Sequence, residues 1–301
     1  MAKTPTEGFH LIHWLQNAVL RGLIGALLLL PYRWRVPLCG WIFARVIAPL
    51  AGYNRRIRDN LRLIFPDMAP DEIRRMQRAV PDNIGRSVIE MYSGAPFFAR
   101  AEAASLHGPG LAAMAEAKAA GRPVVMVTGH FGNYLASRVA LRARGFAVAG
   151  LYRPMTNRYF NAHYVAAMAQ SGEPLFERGR QGMAAMLRFL RQGGMIGIVQ
   201  DQHMKHAPVL SFFGHPAKTA LSAAELALKY DALLIPSYAT RKDNGLDFDI
   251  LVDAPIPPGS ARPCRWPRGS TALTKPCVTR SSVRAICWSS PGMALMASAA
   301  R

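Results

Sequence analysis

The chain has 301 residues, half of them hydrophobic, and carries 37 Lys and Arg against 18 Asp and Glu. That is material for one large domain or two small ones, and the net charge of +19 points to an anionic partner: nucleic acid, anionic lipid headgroups or an acidic carrier protein. No interleaving of aromatic and basic residues marks a nucleic-acid motif, and Cys39, Cys264, Cys277 and Cys287 show neither metal-ligand spacing nor a disulfide framework.

Residues 1–10 are polar. Leu11 to Leu30 is largely apolar but contains His13, Gln16, Asn17 and Arg21, and its unbroken apolar part, Gly22 to Leu30, is nine residues. A spanning helix needs about 20 predominantly apolar residues. The segment therefore spans with a tilt and a snorkelling Arg21, lies in the interface, or is an ordinary buried helix. A cleaved signal is disfavoured, because Pro31-Tyr32-Arg33-Trp34-Arg35 stands where a small-residue cleavage site would be. Arg33, Arg35, Trp34 and Trp41 suit a headgroup boundary. Val36 to Leu50 is a second apolar stretch, broken by Arg45. The cluster from Arg55 to Leu61 starts a basic helix, either a solvated face or, following apolar segments, a contact for anionic headgroups. Phe65-Pro66-Asp67 closes it. Asp71 through Phe98 reads as one or two helices around Pro81, carrying Asn83, Arg86 and Glu90.

From Leu111 the pattern changes. An Ala-rich helix to Ala120 leads to Val124–Thr128, a short β-branched and apolar run that reads as a buried strand. Gly129 breaks it, His130 follows at its carboxyl end, and a helix runs from Asn133 to Arg144. Ala147 to Tyr152 is a second strand ending in Tyr152-Arg153-Pro154. Asn157 caps a helix to Gln170. The turn Glu177-Arg178-Gly179-Arg180 precedes the helix Gly182 to Arg191. Met195 to Val199 is a third strand, ending at Gln200-Asp201-Gln202-His203. After Phe212-Phe213-Gly214, Thr219 to Tyr230 is helical, and Leu233 to Tyr238 and Phe248 to Val252 are strands. Strands alternating with helices predict an α/β sheet flanked by helices. In such sheets ligands bind outside the carboxyl ends of the strands, where a His can exchange a proton near neutral pH. A turn histidine bonded to backbone is the plainer alternative. His163, His203, His206 and His215 form no metal-binding spacing, so no metal is expected.

From residue 260 onward there is no Asp or Glu, seven Lys or Arg, and three of the four Cys. The tail is either disordered and basic or the product of a disturbed coding frame near Gly259, and the second is preferred. Without it the charge through residue 259 is 30 minus 18, or +12, so the anionic-partner argument stands.

Gly129-His130-Phe131-Gly132-Asn133-Tyr134 resembles the His-x4-Asp/Glu motif of glycerolipid-type acyltransferases. Within them it resembles the branch that adds a second fatty acid to lipid A precursors, the lauroyl/myristoyl acyltransferases of Gram-negative bacteria. The same order of segments continues through Tyr152-Arg153-Pro154, Arg178-Gly179-Arg180, Asp201-Gln202, Phe212-Phe213-Gly214 and Leu226-Ala227-Leu228-Lys229, over roughly residues 10 to 258. The pattern of Arg55, Arg56, Ile57, Asn60 and Leu61, and that of Asn83, Gly85, Arg86 and Glu90, resemble the family's N-terminal signatures. The resemblance implies a mixed central sheet flanked by helices, behind an N-terminal membrane-associating segment (1–35), with the acyltransferase domain over 36–259 and the atypical tail over 260–301. It implies an enzyme at the cytoplasmic face of the bacterial inner membrane that moves a fatty acyl group from acyl carrier protein to a hydroxyl of a lipid A precursor. Anionic membrane lipids are further partners, nucleic acid is not one, and no cofactor is needed beyond the acyl donor.

Such chemistry needs a base for the acceptor hydroxyl, an oxyanion site and a proton for the leaving thiolate. His130 is the candidate base. In the family an acid five residues on orients it, the logic of a triad; here that position is Leu135, which cannot. Asp201, at the end of a neighbouring strand, is the candidate substitute, with Glu173 and Glu177 less well placed; its alternatives are a helix cap or a partner for Lys205 or Arg153. Arg153, Arg178 and Arg180 suit phosphate oxygens of the acceptor or of the carrier's pantetheine arm, or are solvated. Asn133 donates to the oxyanion or caps its helix. Three other readings remain open: an acyltransferase for a lysophospholipid or ornithine lipid, a catalytically impaired membrane-bound homologue, and a nucleic-acid binder resting on charge alone.

Overall fold

The computed structural model describes residues 10–202, 204 and 207–257. The tail expected from residue 260, and His203, Lys205 and His206, lie outside them. The N-terminal part is helical: α1 (Leu11–Leu28), α2 (Tyr32–Ile42), a π-helical turn (Phe43–Ile47), α3 (Ala48–Leu50), α4 (Tyr53–Ile64), α5 (Pro70–Met91) and α6 (Ala95–Glu102). The α/β part runs β1 (Ser105–His107), α7 (Gly110–Ala119), β2 (Val124–Thr128), α8 (Tyr134–Ala143), β3 (Val148–Tyr152), α9 (Arg158–Gln170), β4 (Leu175–Glu177) and α10 (Arg180–Arg191). It continues with β5 (Met195–Val199), β6 (Val209–Phe212), β7 (His215–Lys218), α11 (Ser222–Lys229), β8 (Leu233–Arg241) and β9 (Phe248–Val252).

Seven strands form one mixed sheet in the order β1-β9-β8-β2-β5-β3-β4, and β6 and β7 form a separate antiparallel hairpin. The strands β8, β2, β5, β3 and β4 are mutually parallel; β9 runs antiparallel to β8 and carries β1 parallel beside it. Side-chain alternation along β2 explains the two helical layers. Val124 and Met126 pack with Met114 of α7 and Leu141 of α8. Val125 and Val127 point the other way, onto Met186 and Leu190 of α10 and Ala223 of α11. Val124, Val125 and Ile235 are fully buried, each contributing about 1.5–3 kcal/mol by leaving water. The chain steps from β2 out to β3 and β4, returns to β5 beside β2, then crosses to β8 on the other side. The carboxyl end of β2 is thus a switch point, where a crevice forms.

Two features of the helical part bear on how it packs. α5 passes through Pro81 without ending, so Pro70–Met91 is one helix of 22 residues. It crosses α2 closely: a Cβ on Gly40 would strike Asp82, and one on Gly85 would strike Cys39 and Phe43. Tight packing on α2 holds the helix together where Pro81 removes a backbone donor. The apolar surface also extends past residue 35. Leu11, Ile12, Val19, Leu23 and Leu29 are exposed on and beside α1, and Trp34, Trp41, Val46 and Leu50 continue the face. α1 is the one described helix long and apolar enough to cross a membrane, with 18 residues at a mean hydropathy of 1.3, 6% of them buried. α4 turns away from α2–α3 by 86° at Gly52, whose φ of 72° is one that glycine adopts freely.

Candidate active site

β2 and β5 lie in register, Thr128 beside Val199, and the Gln200 amide donates to the Thr128 carbonyl at 3.1 Å. The residues that follow each strand therefore leave the same edge side by side. His130 and Asp201 meet there, 71 positions apart in sequence. Asp201 Oδ2 accepts the His130 backbone N–H at 2.6 Å, and Oδ1 lies 2.6 Å from His130 Nδ1. The Asp201 side chain is fully buried, whereas that of His130 is 24% exposed. A carboxylate there accepts a hydrogen bond from ring Nδ1–H, which leaves Nε2 as the lone-pair nitrogen of the neutral imidazole.

The turn carrying His130 is pinned from two sides. Gly132 has φ 53°, and a Cβ there would run into the Ala239 carbonyl of β8. Its own carbonyl accepts from Asn83 Nδ2 at 2.9 Å and Ser87 Oγ at 2.8 Å, both on α5. Asn133 follows as the cap of α8: its Oδ1 accepts the Leu135 N–H at 3.0 Å and its Nδ2 donates to Glu90 Oε2 at 2.7 Å. At 1% exposure, with both ends of its amide engaged inside the protein, Asn133 does not present a donor to a substrate. Of the two roles read for it in the sequence, the structure shows the cap, together with a link to Glu90. Glu90 is itself fully buried and receives both Arg241 Nη1 (2.5 Å) and Nη2 (2.7 Å). Asn83, Ser87 and Glu90 recur at helical spacing on one face of α5. That periodicity was available in the sequence; what the face holds was not.

Leu135, where the family's acid would stand, is buried in the first turn of α8 with Ala136, Val139 and Ala140. It forms part of the wall of a cavity of about 290 Å³ that opens at His130 and runs between α8, α9 and the sheet. This is near the lower end of small-molecule sites. Tyr134, Tyr164, Met168, Leu141 and Met126 supply apolar lining. The Tyr134 ring stands edge-on to His130 at 5.5 Å, and burial pushes its phenol well above the usual range. Gly150 of β3 and Gly197 of β5 are register partners, and both line the cavity. A Cβ at Gly150 would come within 2.9 Å of Leu175 Cδ2 and 3.1 Å of Arg138 Nη1, so its missing side chain lets those two pack against the strand. None of these lining roles was legible in the sequence, because each needs two elements to be brought together.

Arg138 also lines the cavity. It donates Nε to the Val148 carbonyl at 2.8 Å and Nη2 to the carbonyls of Gly172 (2.6 Å) and Pro174 (3.1 Å). Burial, followed by the nearby Arg142, lowers its pKa to about 10, so it stays charged at neutral pH. Arg153 and Arg178 stand at the mouth, after β3 and β4, joined through the Arg178 N–H and the Tyr152 carbonyl at 2.7 Å. Arg180 opens α10, exposed and apart from the cavity lining. Among the described residues no carboxylate pairs with any of these three arginines. Glu177 instead accepts the Tyr152 hydroxyl at 3.2 Å, and Glu173 is exposed. No three described His, Cys, Asp or Glu side chains are grouped as a metal would need.

The sequence model of one protein family, described as bacterial lipid A biosynthesis acyltransferase, matches residues 1–260. A search of curated proteins finds no match.

Proposed function

The chain belongs to the bacterial lipid A biosynthesis acyltransferase family, and on that premise we propose that it moves a fatty acyl group from the thioester of acyl carrier protein to a hydroxyl of a lipid A precursor. Membership makes it an enzyme that transfers acyl groups. The observation that carries the finer reading is the 2.6 Å contact between His130 Nδ1 and the buried Asp201, beside a largely apolar cavity.

In this reading His130 Nε2 takes the acceptor's hydroxyl proton as its oxygen attacks the thioester carbonyl carbon. Asp201 holds the tautomer and offsets the charge on the imidazolium. The tetrahedral oxyanion then collapses, the carbon–sulfur bond breaks, and the imidazolium returns its proton to the leaving thiolate. The acyl chain occupies the cavity under α8. Arg153 and Arg178, with Arg180 nearby, offer planar forks to phosphate oxygens of the acceptor or of the pantetheine arm. The excess of basic residues attracts an acidic carrier. α1 and the exposed tryptophans rest against anionic lipids at the cytoplasmic face of the inner membrane. No cofactor or metal enters the scheme.

The test is acyl transfer in membranes, from acyl carrier protein thioesters to a tetra-acylated lipid A precursor, comparing the parent with His130→Ala. The parent transfers and His130→Ala is silent. Activity retained in His130→Ala would remove the base assignment, and a folded but silent parent would remove the lipid A reading.

A further inference from the structure

The cavity is not uniformly apolar. Two of its wall residues, Ser137 on α8 and Ser237 on β8, are 7% and 2% exposed. Neither hydroxyl has a hydrogen-bond partner among the described residues. Buried hydroxyls are paired in the large majority of cases, because an unmade hydrogen bond is costly in apolar surroundings. A helical serine commonly returns its hydroxyl to a carbonyl one turn back, as Ser93 does to Ile89 at 2.7 Å. Ser137 does not. Two unpaired hydroxyls in the walls of a single cavity fit an occupant that brings its own polar group.

The depth of these groups says where on the occupant that group sits. Val127 pairs with Pro236, so Ser237 stands level with Thr128, two residues before His130. At about 3.3 Å per residue, that is roughly 7 Å along the strand direction. Ser137 lies about one helical turn beyond Tyr134, whose ring packs on His130. Leu141 and Val148, whose side chains pack in one apolar cluster, lie farther in. The polar wall thus meets the carbonyl end of a bound chain rather than its methyl end.

We propose that the cavity selects acyl chains bearing a hydroxyl on one of the first carbons after the carbonyl, recognised by Ser137 and Ser237. This rests on reading the cavity as the acyl site. A hydroxyl both donates and accepts, so it can pair with both serines. An unsubstituted chain leaves them buried and unpaired, the situation in which a site rejects an analogue lacking the matching group.

The experiment is calorimetric titration of the purified full chain in detergent with dodecanoate and with 3-hydroxydodecanoate, in the parent and in Ser137→Ala/Ser237→Ala. Alanine removes only the unpaired oxygens, so the fold is retained, and a thermal melt checks it. The parent binds the hydroxy acid about tenfold tighter, the size of one net hydrogen bond, and the ratio falls toward one in the double variant. Equal affinities in the parent, or a ratio that survives the double substitution, would overturn the proposal. If neither acid binds, the proposal and the acyl-site reading fall together. The expected binding ratio with no acyl transfer from either thioester would support the proposal and count against the transfer reading alone.

Discussion

Asp201 holds His130 at two points, accepting the backbone N–H with one oxygen and facing ring Nδ1 with the other, each at 2.6 Å. Backbone and ring are therefore set by one buried carboxylate. In Asp201→Asn, an amide oxygen can still accept the backbone N–H, but its NH₂ group then faces Nδ1 and favours the opposite tautomer. The rate constant of acyl transfer is expected to fall by about 10²–10⁴-fold, with KM for the acyl donor little changed. Steady-state kinetics on both parameters check this, and a loss confined to KM would assign Asp201 to binding instead.

Leu135→Asp restores the carboxylate that the motif lacks, but into a site only 5% exposed and packed among Ala136, Val139 and Ala140. We expect a stability loss of about 2–5 kcal/mol from the lost packing and the buried polar group. No gain in transfer is expected, because Nδ1 already has its partner. Denaturant melts and transfer rates measure the two effects, and a more active variant would show that position 135 is the natural orienter.

Glu90 joins α5, β8 and the cap of α8 through Arg241 and Asn133. Glu90→Gln leaves the Arg241 guanidinium, whose side chain is 10% exposed, without its carboxylate. Removing one partner of a buried pair costs about 3–5 kcal/mol. The urea midpoint and transfer should fall together, since the same network holds the turn after His130. Glu90→Gln/Arg241→Met recovers part of the stability if the loss comes from the stranded charge.

Gly197 faces Gly150 across β5 and β3 in the floor of the cavity. A Cβ there would sit 3.3 Å from Val148 Cγ1, a contact a small shift accommodates, and valine suits a strand. Gly197→Val is expected to fold and to shift acyl preference toward shorter chains. Competition among saturated acyl thioesters of different length reads this directly, and an unchanged length preference would place the chain elsewhere.

The strand ending at Thr128, the break at Gly129 and the alternation of strand and helix after it were all legible in sequence. A β-branched run, a glycine and a helical period are local signals, set by backbone sterics and side-chain spacing. The three-residue strands β1 and β4 were not, because so short a run has no measurable period and forms only when a neighbour offers its edge. The hairpin of β6 and β7 escaped for a similar reason: its strands of four residues pair only with each other.

Near His130 the division is sharper. Sequence alone put His130 at a strand end, favoured Asp201 over the less well placed Glu173 and Glu177 as its acid, and left Asn133 as either oxyanion donor or cap. Strand order separated them: with β5 directly beside β2, Asp201 emerges next to His130, while Glu177 ends β4 two strands farther away and Glu173 lies before that strand. Likewise α5, docked on the Gly132 turn, turned Asn133 inward to Glu90. Composition and local pattern determined the elements, the basic charge and the apolar N-terminus, because those are properties of neighbouring residues. Which side chains share a cavity was decided by tertiary structure, since hydrogen bonds and packing act over a few ångströms between positions as much as 159 residues apart.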